Sequence, residues 1–216
     1  MRLCECSVLG YFKNRSVLIL GSAPNCTDVS VAAMSDFDVI VRTNNYKLFN
    51  ADKRVDVYYS FFGRSILNIK KRVEEDNPDF LFMKYPFDFN FAAHTGGQDV
   101  AGKGGDLRFI QEINKELLKR VHHFPQTIPN FISNFCAIGS MPSTGMAAIL
   151  DIIRYQPSKL AIAGFDFYKS KIHNVDEKWN PQDGKGHDFC TEEFVVAELV
   201  ENNLIINLNQ EVKYNA

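Results

Sequence analysis

Short runs of β-branched and aromatic residues alternate along the chain with longer stretches whose apolar positions recur at helical spacing. Ser16–Leu20 is a compact apolar run and stops at the turn sequence Gly21-Ser22-Ala23-Pro24-Asn25. Further runs follow at 37–42, 55–61, 79–85, 160–165 and 204–208, with the composition of strands. Between them Leu107, Ile110, Ile113, Leu117 and Val121 mark one helix, with charges on its other face. Met146, Ile149, Leu150 and Ile153 mark a second, and Val196, Leu199 and Val200 a weaker third. Near-continuous apolar strands separated by amphipathic helices predict a mostly parallel sheet covered on both faces. The expectation is a single Rossmann-like α/β domain over 1–216, with 1–15 as an N-terminal segment. Two polar stretches, 87–105 with five glycines and 169–186 with Trp179 and Pro181, interrupt the pattern. Loops of that length in a compact domain are usually functional lids or binding loops, or else disordered segments.

Composition narrows the classes. At 216 residues with a net charge of −2, the chain can bury a full core and carries no overall basic field for nucleic acid. No apolar run reaches the roughly 18 residues that span a bilayer. The five cysteines (4, 6, 26, 136 and 190) are odd in number and scattered, which suits a reducing cytoplasm. A fragment lacking its membrane anchor would look the same.

Open α/β sheets bind ligands beyond the carboxyl ends of their strands. Those ends carry Gly21, Ser22 and Asn25, then Thr43, Asn44 and Asn45, then 60–63, and after the fifth run Asp166 and Tyr168. This polar edge with few fixed charges suits a nucleotide or a sugar. Pro142-Ser143-Thr144-Gly145 opens the Met146 helix, where hydroxyls cap and free amides attract a phosphate. Simple capping is the plainer explanation. A dinucleotide-binding Gly-x-Gly-x-x-Gly turn is absent after the first run, which disfavours a reductase, and a methyltransferase less strongly.

Among the histidines, His122 and His123 read as the end of a helix, and His94 lies in the glycine-rich loop. His173 and His187 flank the polar loop after the fifth run, where an imidazole is a natural general base near neutrality. A solvated loop histidine is the alternative for each. Cys4-x-Cys6 and His187-x-x-Cys190 lack the second half of a zinc site. Asp36-Phe37-Asp38 spells an Asp-x-Asp pattern, but at the strand-opening end, away from ligand. No metal or other cofactor is expected.

Taken in order, these segments resemble the CMP-sialic-acid-dependent sialyltransferases, glycosyltransferase families 29 and 42, over roughly 16–208. Residues 16–25 and 37–45 resemble the first half of the large sialyl motif. Pro142-Ser143-Thr144-Gly145 and Gly164-Phe165-Asp166-Phe167-Tyr168 resemble the small one. His173 falls where the third motif begins, and His187 with Glu192 reproduces His-x-x-x-x-Glu. The resemblance implies a GT-A-like single domain and metal-independent, inverting transfer from a CMP-sugar to a glycan or glycolipid. It further implies that Gly21, Ser22, Asn25, Asn44, Ser143, Thr144, Gly145 and Asp166 bind CMP. Tyr168 would hold the leaving phosphate, with His173 and Glu192 assisting phosphate or acceptor, and His187 would be the base.

The departures are specific. The second tyrosine of bacterial members is replaced by Lys-Ser-Lys-Ile-His-Asn at 169–174, and their arginine before the helix turn by Ser140-Met141-Pro142. The animal enzymes' disulfide, here Cys136 with Cys6 or Cys26, is not implied. Donor choice between sialic acid and the eight-carbon keto-acid Kdo stays open, as does a nucleotide-binding module without catalysis. A cytoplasmic enzyme with some peripheral membrane contact is expected.

Overall fold

A computed structural model of the protein describes residues 4–43, 46, 54–60, 73–84, 122–170, 172–173, 177–178 and 186–209. The 87–105 loop and the Leu107–Val121 helix lie outside them, as does most of 169–186.

Among the described residues the main sheet joins seven strands in the order β5-β4-β3-β2-β1-β6-β9. These are β1 (Ser16–Leu20), β2 (Val39–Thr43), β3 (Val57–Ser60), β4 (Phe80–Met83), β5 (His122–Pro125), β6 (Lys159–Ala163) and β9 (Ile206–Asn207). Every pairing among them is parallel. The α/β class and parallel sheet expected from sequence are therefore observed. Ile172–His173 (β7) and Glu177–Lys178 (β8) form a separate antiparallel pair.

Alternate residues of each strand face opposite sides. Val17, Ile19, Val39, Val41, Val57, Tyr59 and Ile162 face one layer of helices. That layer holds α1 (Glu5–Phe12), α3 (Ile128–Ile138), α4 (Thr144–Ile153) and α5 (Phe189–Glu201). Leu18, Leu20, Ile40, Ala161 and Ala163 face the other side, against Met34 of α2 (Val31–Ser35) and Phe37. Burial on both faces explains why β1, β2 and β6 read as continuous apolar runs rather than as alternation.

One local reading is corrected, and two helices are added to the expected elements. His122 and His123 do not end a helix: they open β5, which pairs with β4 in the register Phe80↔His122 and Leu81↔His123. Backbone pairing at the sheet edge overrides the polarity of two histidines, and Pro125 sits at the strand's last position, where a missing N–H is tolerated. Helix α1 occupies much of the N-terminal segment and drives Val8 and Phe12 into the core. Helix α3 follows β5, started by Thr127, whose hydroxyl accepts from the Asn130 amide, and stopped by left-handed Gly139.

Asp36 closes α2 and Asp38 directly precedes β2. The Asp38 carboxylate accepts from the Ser16 amide and hydroxyl, each at 2.8 Å, and ties the openings of β1 and β2 together. All five cysteines are free. No helix among the described residues is long and apolar enough to cross a membrane.

Candidate active site

The strand order reverses direction between β1 and β6: the chain builds outward from β1 to β5, then returns to the other side of β1. At such a switch point the turns leaving the two strands part and leave a crevice. Here the crevice is bordered by Gly21 and Ser22 after β1, Thr43 at the end of β2, and Asp166 and Tyr168 after β6. Ser143, Thr144 and Gly145 at the start of α4 close one side, with Phe189 and Glu192 of α5.

The glycines are required by packing. The Gly21 amide donates to the Ala163 carbonyl at 2.8 Å and the Ala23 amide to the Gly164 carbonyl at 3.1 Å. A Cβ on Gly21 would lie 2.2 Å from the Gly164 carbonyl oxygen, so the two turns touch backbone to backbone. A Cβ on Gly145 would meet the Phe165 ring at 2.5 Å. The glycine at the head of α4 thus makes room for an aromatic ring lining the crevice, whatever ligand the helix start also receives.

Tyr168 stands on a strained loop. Phe167 and Tyr168 both have left-handed backbone, at φ 52° and 59°, a conformation that costs non-glycine residues energy and gathers at functional sites. Asp166 holds it there: one carboxylate oxygen accepts from the Tyr168 amide at 2.9 Å, the other from the Ser170 amide at 3.1 Å. Asp166 borders the crevice, but its oxygens are spent on the loop that presents Tyr168. The Tyr168 ring packs on Phe189 with centroids 4.4 Å apart.

The start of α4 already holds a carboxyl group, that of Glu192. The Ser143 hydroxyl caps the helix by accepting from the Met146 amide at 3.2 Å. The same hydroxyl donates to one oxygen of Glu192 at 2.6 Å, and the Ser143 amide donates to the other at 2.5 Å. A carboxylate at a helix N-terminus satisfies amides that lack intrahelical partners and sits at the positive end of the dipole. Thr144 and Gly145, the first two helical residues, border the crevice, and amides at these positions have no partner within the helix. Burial pushes the Glu192 carboxyl up, against the Ser143 hydrogen bonds and the Lys84 ammonium, which favour its charge.

His187 precedes α5. Its Nδ1 lies 2.6 Å from the Met141 carbonyl. A carbonyl only accepts, so Nδ1 carries the proton and Nε2 keeps its lone pair. Burial, then the positive charge of Lys84, pull its pKa down to about 4, opposed by the Met141 hydrogen bond. The ring is 5.6 Å from Phe189, which also packs on Tyr168.

Of the residues named from sequence, Gly21, Ser22, Ser143, Thr144, Gly145, Asp166, Tyr168 and Glu192 surround one crevice, with His187 beside it. Asn25 does not border it: its carbonyl accepts from Asn209 Nδ2 at 2.7 Å, while Asn209 Oδ1 accepts from the Gly164 amide at 2.8 Å. Asn25 therefore braces the β6 turn from behind. Asn44 lies outside the described residues, and His173 is described only as backbone, in β7. Sequence reasoning missed Phe165, Phe167 and Phe189 as crevice walls, and Lys84 altogether. Among the described residues no three His, Cys, Asp or Glu side chains gather as a metal site.

Solved structures share this architecture. A structure of the Campylobacter jejuni sialyltransferase CstII with cytidine-5′-monophosphate matches with a TM-score of 0.57 at 12% identity, over 89% of this chain and 77% of that one. The monofunctional α-2,3-sialyltransferase Cst-I of the same organism matches at 0.54 and 11%, over 96% of this chain and 76% of its own. CST-II with a trisaccharide acceptor and CMP matches at 0.54 and 11%, over 89% and 80%. The fold is that of the sialyltransferases. At these identities the likeness to sialyltransferases speaks for architecture. No family model matches the chain, and no curated protein matches it in sequence.

Proposed function

We propose that this chain is an inverting glycosyltransferase that moves a sugar from a CMP-activated donor to a hydroxyl of a glycan or glycolipid. Sialic acid is the first choice of donor sugar and Kdo the second. The observation that carries the reading is His187, whose Nδ1 is held by the Met141 carbonyl at 2.6 Å and whose ring lies 5.6 Å from Phe189, a wall of the crevice at the sheet's switch point. That bond leaves Nε2 as a base. Nε2 takes the proton of the acceptor hydroxyl as its oxygen forms a bond to the anomeric carbon. The bond from that carbon to the phosphate oxygen breaks on the opposite face, and CMP leaves with the electron pair.

The Tyr168 hydroxyl donates a hydrogen bond to the departing phosphate, where charge grows in the transition state. Gly21 and Ser22 line the nucleoside side, and the Thr144 and Gly145 amides receive an anionic group of the donor. Ser143 and Asp166 act through what they hold: Ser143 through Glu192, Asp166 through Tyr168. Asn44 and His173 keep the roles the resemblance implies. A monophosphate carries less charge than a diphosphate, so we expect transfer without a metal. Loss of activity in EDTA, restored by Mg²⁺ or Mn²⁺, would overturn that part. We expect the enzyme in the cytoplasm, from the scatter and odd number of its cysteines; cell fractionation tests this.

The test is CMP release from CMP-Neu5Ac and from CMP-Kdo, with His187→Ala as control. The expected loss in His187→Ala is about 10²–10⁴-fold, what one positioned base contributes. The pH profile is a second reading of the same claim. With His187 held to about 4, activity persists as pH falls through the ordinary histidine range near 6.5 and is lost only toward 4. If neither donor is bound or consumed, a nucleotide-binding module without catalysis takes its place.

A further inference from the structure

Phe189 is the first residue of α5, and the start of that helix is tied down from several directions. Asp188 caps it, accepting from the Thr191 amide at 3.0 Å and from the Thr191 hydroxyl at 2.8 Å. The Asp188 amide donates to the Ser140 hydroxyl at 3.2 Å. One turn further, Glu192 is bonded to Ser143, and Val196 is buried in the core. The backbone that carries Phe189 is therefore fixed, and its ring borders the crevice.

Two rings rest on it. Tyr168 packs on Phe189 with centroids 4.4 Å apart and planes inclined at 36°. His187 lies 5.6 Å away at 45°. Both distances fall in the range of favourable aromatic pairs. Tyr168 comes from the loop after β6 and His187 from the segment before α5, so Phe189 joins side chains of two separate parts of the chain.

We propose that Phe189 is a positioning residue that fixes the Tyr168 phenol and the His187 imidazole relative to each other. The roles of those two groups rest on the function proposed above.

An in-line displacement needs the attacking oxygen, the anomeric carbon and the departing oxygen in one arrangement, so the base and the phosphate donor must keep one spacing. Backbone contacts alone do not set it. Asp166 holds the amides of Tyr168 and Ser170, yet a phenol can still turn about its side-chain torsions. The Met141 carbonyl meets His187 at a single ring atom, Nδ1. Packing against Phe189 restricts both rings. A second link runs beside it, since Lys169 pairs with Glu193, four residues after Phe189 and on the same helix face. With side chains 64% and 42% exposed, that pair is screened and holds little. The aromatic contact is the one that docks the Tyr168 loop on α5.

The experiment measures ring order of Tyr168 and His187 by ¹³C relaxation NMR in the ligand-free wild type, Phe189→Leu, Phe189→Met and Phe189→Tyr. Leucine and methionine keep an apolar side chain without a ring, and either carries the test if the other does not fold. Both rings should gain motion in these two variants and keep wild-type order in Phe189→Tyr. In CMP release, Phe189→Leu should lower kcat about tenfold or more with KM for the donor near the wild-type value, because a small misplacement of reacting groups can cost about 10²-fold. In the Tyr168→Phe and His187→Ala backgrounds the same substitution should cost less, since one of the groups it positions is already gone. Unchanged ring order, or an equal loss of kcat in all three backgrounds, overturns the proposal. Phe189-dependent ring order without turnover of CMP-Neu5Ac or CMP-Kdo would sink the transferase reading alone. Turnover that Phe189→Leu leaves intact would sink this proposal alone.

Discussion

Helix α4 meets a buried carboxylate at each end, and the two differ in what surrounds them. Asp151, near its C-terminus and 2% exposed, accepts from Tyr59 of β3, from Gln126 before α3, from Asn134 of α3 at 2.7 Å, and from Arg154 at 3.0 Å. These donors come from β3, from α3 and the residues before it, and from the end of α4. Glu192, at the N-terminus and 1% exposed, takes both its hydrogen bonds from Ser143, borders the crevice, and shares its surroundings with a buried lysine and a histidine. Burial raises both carboxyls, so perturbation alone does not separate them. Asp151 closes a network that joins α4 to β3 and α3, whereas Glu192 holds Ser143, two residues after the Met141 carbonyl that meets His187. A buried charge points to chemistry when its partners leave one side to a cavity.

Asp151→Ala should give the largest stability change, about 3–5 kcal/mol in urea unfolding, because it strands donors from three elements and an arginine. CMP affinity of the folded fraction should stay at the wild-type value. Glu192→Gln should cost less stability, roughly 1–3 kcal/mol for a charge-assisted clamp, yet lower CMP-sugar turnover at least about tenfold. If calorimetry and CMP release instead show Glu192→Gln acting on stability alone, the contrast between the two carboxylates fails. Gly145→Ala sharpens it, since the new Cβ meets Phe165 at 2.5 Å. A loss of about 1–3 kcal/mol is expected from overpacking, relieved in the background Phe165→Leu. The smallest effect is Ser143→Ala, about 1 kcal/mol for the lost cap. Its amide still holds one oxygen of Glu192, so turnover should fall less than in Glu192→Gln.

The sheet was largely legible because parallel strands are buried on both faces and announce themselves as apolar runs, as β1 and β2 do. Strand β5 was not, because His122-His123-Phe124-Pro125 is strand only through its pairing with β4. Helix α3 was missed although its signals stood in the chain: Thr127 as cap, Pro129 in the first turn, Gly139 as stop. For the site, residues at strand ends were legible by position. Their division of labour was not, since Asp166 facing its own loop and Glu192 facing Ser143 are facts of side-chain direction. Lys84 gave no signal, because a lysine after a strand is ordinary until burial is known.

The most direct test of the central claim is a crystal structure of the chain soaked with CMP. The account predicts cytidine against Gly21 and Ser22 and the phosphate within hydrogen-bond distance of the Tyr168 hydroxyl, with Glu192 still bound to Ser143. CMP bound at another edge of the sheet, or a phosphate seated on Ser143 with Glu192 displaced, would contradict it.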